Sequence, residues 1–148
     1  MENFRGYFKK DKKIFLENIS YETVLPEDPT ARSMRLGCRD TVVAQLLLPA
    51  GVKLVFNRRL NFEPEVLFTL SVSFGAMLLF DPGRSGEVNW KEVNLVGECT
   101  AAYPDIIAEL SARTTLLVSQ ITSSAGGIPI ITQAPLKSDE KKSGSEDN

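Results

Sequence analysis

From Val66 to Phe80 the chain is apolar at every second residue, with Val66, Phe68, Leu70, Val72, Phe74, Ala76, Leu78 and Phe80 in one unbroken set. Successive side chains of a strand point to opposite faces, so this parity commits one face of a strand to a core. The other parity, Leu67, Thr69, Ser71, Ser73, Gly75, Met77 and Leu79, is mixed, which predicts a face partly wet or covered by a partner. At ~3.3 Å per residue the run spans roughly 50 Å, longer than a usual strand, so Gly75 is expected to mark a bulge or bend. Dense turn chemistry from Asp81 to Gly86 closes it. Upstream, Val52, Leu54, Phe56, Leu60 and Phe62 alternate with Lys53, Asn57, Arg59 and Asn61; Arg58 breaks the apolar set and Val55 the polar one. This is the pattern of a strand in an antiparallel sheet.

Phe4 to Val24 reads as extended. In its later half Phe15, Ile19 and Tyr21 share one parity and Asn18, Ser20 and Glu22 the other, although Glu17 interrupts the apolar set and Ile14 and Leu16 join the polar one. The two prolines of Leu25-Pro26-Glu27-Asp28-Pro29 end that strand. Between Thr30 and Pro49, Val42, Val43, Leu46 and Leu47 suit a helix face as well as a buried strand, and the expectation taken is strand. Glu87 to Cys99 yields no assignment. Tyr103-Pro104-Asp105 has the form of a helix start, with proline in the first turn and an acid at the positive end of the dipole. From there Ile106, Ile107, Leu110, Leu117, Val118 and Ile121 form a helical stripe to about Ser123, stopped by Ala125-Gly126-Gly127. Ile128-Pro129-Ile130-Ile131 is expected to pack as coil or an edge segment. Lys137 to Asn148 contains no apolar side chain and is expected to be a disordered, charged tail behind a single domain of residues 1–136.

The composition narrows the chemistry. The 148 residues include no histidine, which removes Ser-His-Asp and Cys-His catalysis and imidazole metal sites. Cys38 and Cys99 stand far apart without companion ligands, so they are expected to be small buried hydrophobes rather than a zinc or redox site. Lys and Arg number 17 against 19 acids, a formal charge of −2 that singles out neither nucleic acid nor membrane as a partner. The run Lys9-Lys10-Asp11-Lys12-Lys13 reads as a solvated strand end or loop, and Trp90 as packing. No phosphate-binding glycine loop occurs, and the paired acids Glu27-Asp28, Asp139-Glu140 and Glu146-Asp147 fall in a turn and the tail, where nothing desolvates them. The longest apolar stretch, Ala76 to Phe80, is far short of the ~20 residues of a membrane-spanning helix. The N-terminus lacks the layout of a secretory signal, and the expected location is a reducing cytoplasm.

Two stretches carry a family resemblance. Lys13-Ile14-Phe15-Leu16-Glu17-Asn18-Ile19-Ser20-Tyr21-Glu22 resembles the first strand of the SecB export chaperones, where an acid or amide, Ile, Ser, an aromatic and Glu follow one another. Ala102-Tyr103-Pro104 with its helix, and Ile128-Pro129 through Ala134-Pro135-Leu136, resemble that family's first helix and following loop. The resemblance implies an α+β fold, a SecB-like antiparallel sheet of about four strands with one long C-terminal helix packed on one face. It also implies assembly as a dimer of dimers, no cofactor, no enzymatic activity, and apolar grooves that hold unfolded polypeptides. In the family, acids on the sheet face engage the SecA motor; Glu22 matches one, while Asn18 stands where another acid is expected. The chain departs further in lacking the amphipathic helix that follows Ala-Pro in SecB, and Thr30 to Ala50 has no easy counterpart.

Two functional classes follow. One is a SecB-like holdase for unfolded or pre-secretory polypeptides, or for the antitoxin of a toxin–antitoxin system; the other is a non-chaperone oligomeric adaptor that binds one folded partner. The expected client-binding residues are Leu67, Met77, Leu79, Ile128 and Ile130, and the expected SecA-type contacts are Asn18 and Glu22. A homo-oligomer is expected, because the mixed strand face and the helix offer more apolar surface than one small sheet hides.

Overall fold

The computed structural model describes residues 1–25, 34–64, 67–124 and 130–132. Four strands, β1 (Phe8–Val24), β2 (Arg35–Leu47), β3 (Gly51–Glu63) and β4 (Leu67–Phe80), form one antiparallel sheet in the order β1-β4-β3-β2. Three helices follow: a single turn α1 (Pro82–Ser85), then α2 (Leu95–Ala102) and the long α3 (Pro104–Ser124). The expected α+β architecture, four antiparallel strands with a long C-terminal helix packed on the sheet, is the architecture found. No helix among the described residues is long and apolar enough to cross a membrane.

The alternation of β3 and β4 places Val52, Leu54, Phe56, Leu60, Leu70, Val72, Ala76 and Leu78 on one buried face. Onto it α3 delivers Ile106, Ile107, Leu110 and Val118, the predicted stripe, with Thr114 buried among them. Thr114 sits in the apolar stripe at no cost because its hydroxyl donates back to the Leu110 carbonyl, 2.8 Å away. At the end of the sheet where β4 finishes, an aromatic cluster closes the core: Trp90 lies 4.6 Å from Phe80 and 5.6 Å from Phe8, ring centre to ring centre, and its indole N–H donates to the Ser85 carbonyl. Asp81 caps α1 and Asn94 caps α2, each side chain accepting from a glycine amide in the first turn.

Several expectations needed correction. Residues Phe4–Tyr7 form a 3-10 turn rather than the start of the strand, tucking Phe4 under Trp90 and Tyr103. The strand expected before Pro49 is found, over Arg35–Leu47, where it pairs residue for residue with β3 from Arg35↔Glu63 to Leu47↔Gly51. Gly75 is no bulge. The β3–β4 register runs through it without a break, and its missing side chain instead seats the Phe15 ring, which a Cβ would meet at 2.7 Å. At the β2–β3 turn Gly51 is the obligatory glycine, since a Cβ there would run into the Leu78 carbonyl of β4. The charged tail, the paired acids at 27–28, and Ile128 lie outside the described residues.

The two cysteines differ, contrary to the expectation that both are buried. Both are free; Cys99 is fully buried in α2 and Cys38 is exposed on the edge strand β2. Burial and the neighbouring Glu98 push the Cys99 thiol up to about 12, so its reactive thiolate is scarce at neutral pH. The native protein is expected to react with one equivalent of an alkylating reagent at pH 8 and with two in denaturant. Two fast equivalents under native conditions would show α2 opening readily.

Candidate functional site

A single α-helix is about 10 Å across and strands are spaced about 4.8 Å apart, so one helix covers roughly two strands of a four-stranded sheet. Here α3 packs on β4 and β3, and α2 packs on β2. Nothing among the described residues covers the outer half of β1. Its side chains on the helical side begin with Ile14, packed against the core, and continue with Leu16, Ile19 and Tyr21, which are 48%, 41% and 38% exposed. Tyr21 stacks on Phe68 at 5.2 Å, and Phe68 meets the buried Phe62 edge-on at 5.2 Å. The result is an apolar strip along a sheet edge, ending in an aromatic row.

A bulge makes this strip continuous. Pairing with β4 passes from Leu16↔Phe74 directly to Asn18↔Ser73, which leaves Glu17 as the extra residue. Before it the even-numbered residues face the helices; after it the odd-numbered ones do. Ile14, Leu16, Ile19 and Tyr21, which no single parity joins, therefore share a face. Glu17 itself reaches the opposite side of the sheet, where its carboxylate lies 3.1 Å from Lys53 Nζ.

That opposite side is largely polar. Asn18, Ser20 and Glu22 stand beside Ser73, Ser71 and Thr69 of β4, as their shared parity predicts, and Asn18 and Glu22 are exposed. Next to them Asn57 donates to Ser71 Oγ at 2.9 Å and to Ser73 Oγ at 2.6 Å, tying the hydroxyl row down. The remaining expected contact residues do not form one patch. Met77 and the 37% exposed Leu79 share this face near the end of β4, but the 51% exposed Leu67 lies at its start, about 33 Å from Met77 at the rise of a strand. Ile130 is on the helical side, packed with Leu60, Leu70, Val72 and Val118, and its amide donates to Thr122 Oγ1 at 2.9 Å.

Arg58, the break in the β3 alternation, proves to be fully buried beneath α3. Its Nε and Nη2 donate to the two oxygens of Asp40 on β2 at 2.7 and 3.0 Å. Its Nη1 donates to Thr115 Oγ1 at 2.7 Å and Thr132 Oγ1 at 2.6 Å, and Nη2 also reaches Ser111 Oγ at 3.3 Å. One side chain thereby joins two strands, the long helix and the segment beyond it. Each donor meets an acceptor, which is the condition for tolerating a buried guanidinium. Sequence reasoning marked Arg58 only as an exception, because its partners come from three other parts of the chain.

The arrangement offers contact surfaces: an uncovered apolar strip on one face and a polar, hydroxyl-rich field on the other. Among the described residues no three His, Cys, Asp or Glu side chains gather where they could hold a metal ion.

The sequence matches no family model and no curated protein. The fold is similar to that of the SecB-like chaperone Rv1957 of Mycobacterium tuberculosis, solved in complex with a ChAD peptide from the Rv1956 HigA1 antitoxin. The TM-score is 0.57 at 12% identity, over 84% of this chain and 87% of that one. At this identity the likeness establishes a SecB-like fold.

Proposed function

We propose that the chain is a SecB-like holdase, a chaperone that binds unfolded or pre-secretory polypeptides, or an antitoxin, without catalysis or cofactor. The observation that carries this reading is the strip of Leu16, Ile19 and Tyr21 on β1. A lone edge strand that keeps three large apolar side chains in water costs solubility, and its unpaired backbone invites another chain to dock along it. Extended polypeptide satisfies both features, with backbone groups for the edge and side chains for the strip. The solved neighbour of the same fold binds a peptide, which supports the same use of the fold here.

Both β1 and β2 are edge strands, and we infer a homo-oligomer, a dimer or tetramer, in which one edge pairs with a second copy. The polar field with Asn18 and Glu22 is the surface on which a SecA-type motor would dock, in the cytoplasm. The test is suppression of aggregation of several unrelated unfolded proteins at near-stoichiometric ratio. General suppression supports the holdase; protection of none, together with tight binding of a single folded protein, would favour the adaptor reading instead.

A further inference from the structure

At the head of the apolar strip the chain collects positive charge around a cleft. Lys9, Lys10 and Asp11 of β1 stand opposite the single residue Leu79 of β4, because pairing passes from Phe8↔Phe80 to Lys12↔Leu78. This wide bulge throws the lysines outward around a concavity of about 480 Å³ lined by Arg5, Phe8, Lys9, Lys10, Lys12 and Tyr103. Tyr103 forms the floor: the Arg5 guanidinium lies 4.7 Å from its ring centre and the Lys12 ammonium 5.0 Å. Four cations surround the cleft, against the two carboxylates Asp11 and Asp105, and Asp105 is engaged with Arg5 at 3.2 Å. Among the described residues Lys9, Lys10 and Lys12 form no ion pair.

Crowding like charges on a bulge gives the fold no stability, whereas it raises the local concentration of an anionic partner and its rate of encounter. Phe8 and Tyr103 line the cleft beside its cations, and Lys12 at its margin shares one face of β1 with Ile14 and Leu16 of the strip. Those features suit a peptide rather than a small oxyanion. We propose that the cleft receives the acidic part of a polypeptide whose apolar part lies on the strip, so that charge sets the register and direction of the bound chain. The proposal rests on the polypeptide-binding reading above. Leu16 lies about 13 Å and Tyr21 about 30 Å beyond Lys12 at the rise of a strand, so the preferred segment carries Asp or Glu roughly four to nine residues from bulky apolar side chains.

The test uses two labelled synthetic peptides with the same apolar end, one carrying a run of glutamates at the predicted spacing and the other glutamines in their place. Anisotropy titrations compare the parent protein with the variant Lys9→Gln/Lys10→Gln/Lys12→Gln, in which two positions are exposed and Lys12 is half-buried over Tyr103, after thermal unfolding has shown that the variant keeps the parent's fold. The acidic peptide is expected to bind the parent roughly tenfold more tightly than the neutral one at low salt, and to lose that advantage in the variant and at high salt. Equal binding of both peptides by the parent would overturn this inference and leave the holdase reading standing. Failure of both peptides to bind would remove both. Displacement of the acidic peptide by inorganic polyphosphate or single-stranded DNA more effectively than by the unlabelled peptide itself would overturn the polypeptide assignment of the cleft.

Discussion

Replacing Asp40 by alanine is expected to destabilise the protein by about 3–5 kcal/mol, a large share of the ~5–15 kcal/mol that holds a typical domain together. Arg58 is wholly withdrawn from water, and Asp40 takes two of its N–H groups at 2.7 and 3.0 Å. Without the carboxylate the buried guanidinium loses two short charge-assisted hydrogen bonds, which are stronger than those it makes to the hydroxyls of Ser111, Thr115 and Thr132. Urea unfolding is expected to show the loss as a lower midpoint with little change in slope. The double variant Asp40→Leu/Arg58→Met is the informative companion. If the penalty comes from stranding a charge, removing both charges restores most of the stability, whereas a pure packing defect would leave the double variant at least as weak as the single one. An Asp40→Ala protein within about 0.5 kcal/mol of the parent would refute the account of Arg58 as a charge that depends on Asp40.

How far the sequence reached is clearest strand by strand. Where both neighbours of a strand are strands and one face is sealed by α3, alternation is clear, broken in β3 only at Val55 and Arg58, and β3 and β4 could be read directly. The edge strands were harder. In β2 the half-buried residues Val42, Ala44 and Leu46 alternate with exposed Val43 and Gln45, and only the thirteen-residue pairing with β3 decides between strand and helix. In β1 the apparent fault, Ile14 and Leu16 in one parity and Ile19 and Tyr21 in the other, was itself the signal: a switch of parity across one residue is what a bulge at Glu17 produces. Gly75 attracted the bulge in the sequence reading because glycine in a strand has two physical meanings, a bend or a close approach, and only the Phe15 ring opposite it distinguishes them. The aromatic cluster around Trp90 and the bonds of Arg58 were out of reach, since each joins segments distant in sequence. The expected contact residues on β4 came from asking which face of one strand was left over; the strip on β1 follows from how many strands one helix can shade.

That strip carries the second large effect. Exchanging Leu16, Ile19 and Tyr21 together for serine removes on the order of 150 Å² of exposed apolar surface, about 4 kcal/mol of potential contact before the costs of binding are subtracted. Much of that gross figure is lost to ordering the bound chain, and the variant is expected to hold unfolded polypeptides ten- to a hundredfold more weakly. Stability is expected to fall as well, by roughly 2–5 kcal/mol, because each side chain is also more than half buried on the sheet, so holding is compared where circular dichroism shows the variant folded. Glu22→Lys is the control on the opposite face. It is expected to leave holding and folding unchanged while weakening any motor bound to the polar field, an effect that shrinks with salt. Sedimentation of the triple variant separates the remaining possibilities. If holding falls while the assembly state persists, the strip contacts the client. If the assembly dissociates at the same time, the strip is the seam between copies, and clients must bind elsewhere. If aggregation is suppressed as well as by the parent, the surface left bare by α3 is not where unfolded polypeptide binds.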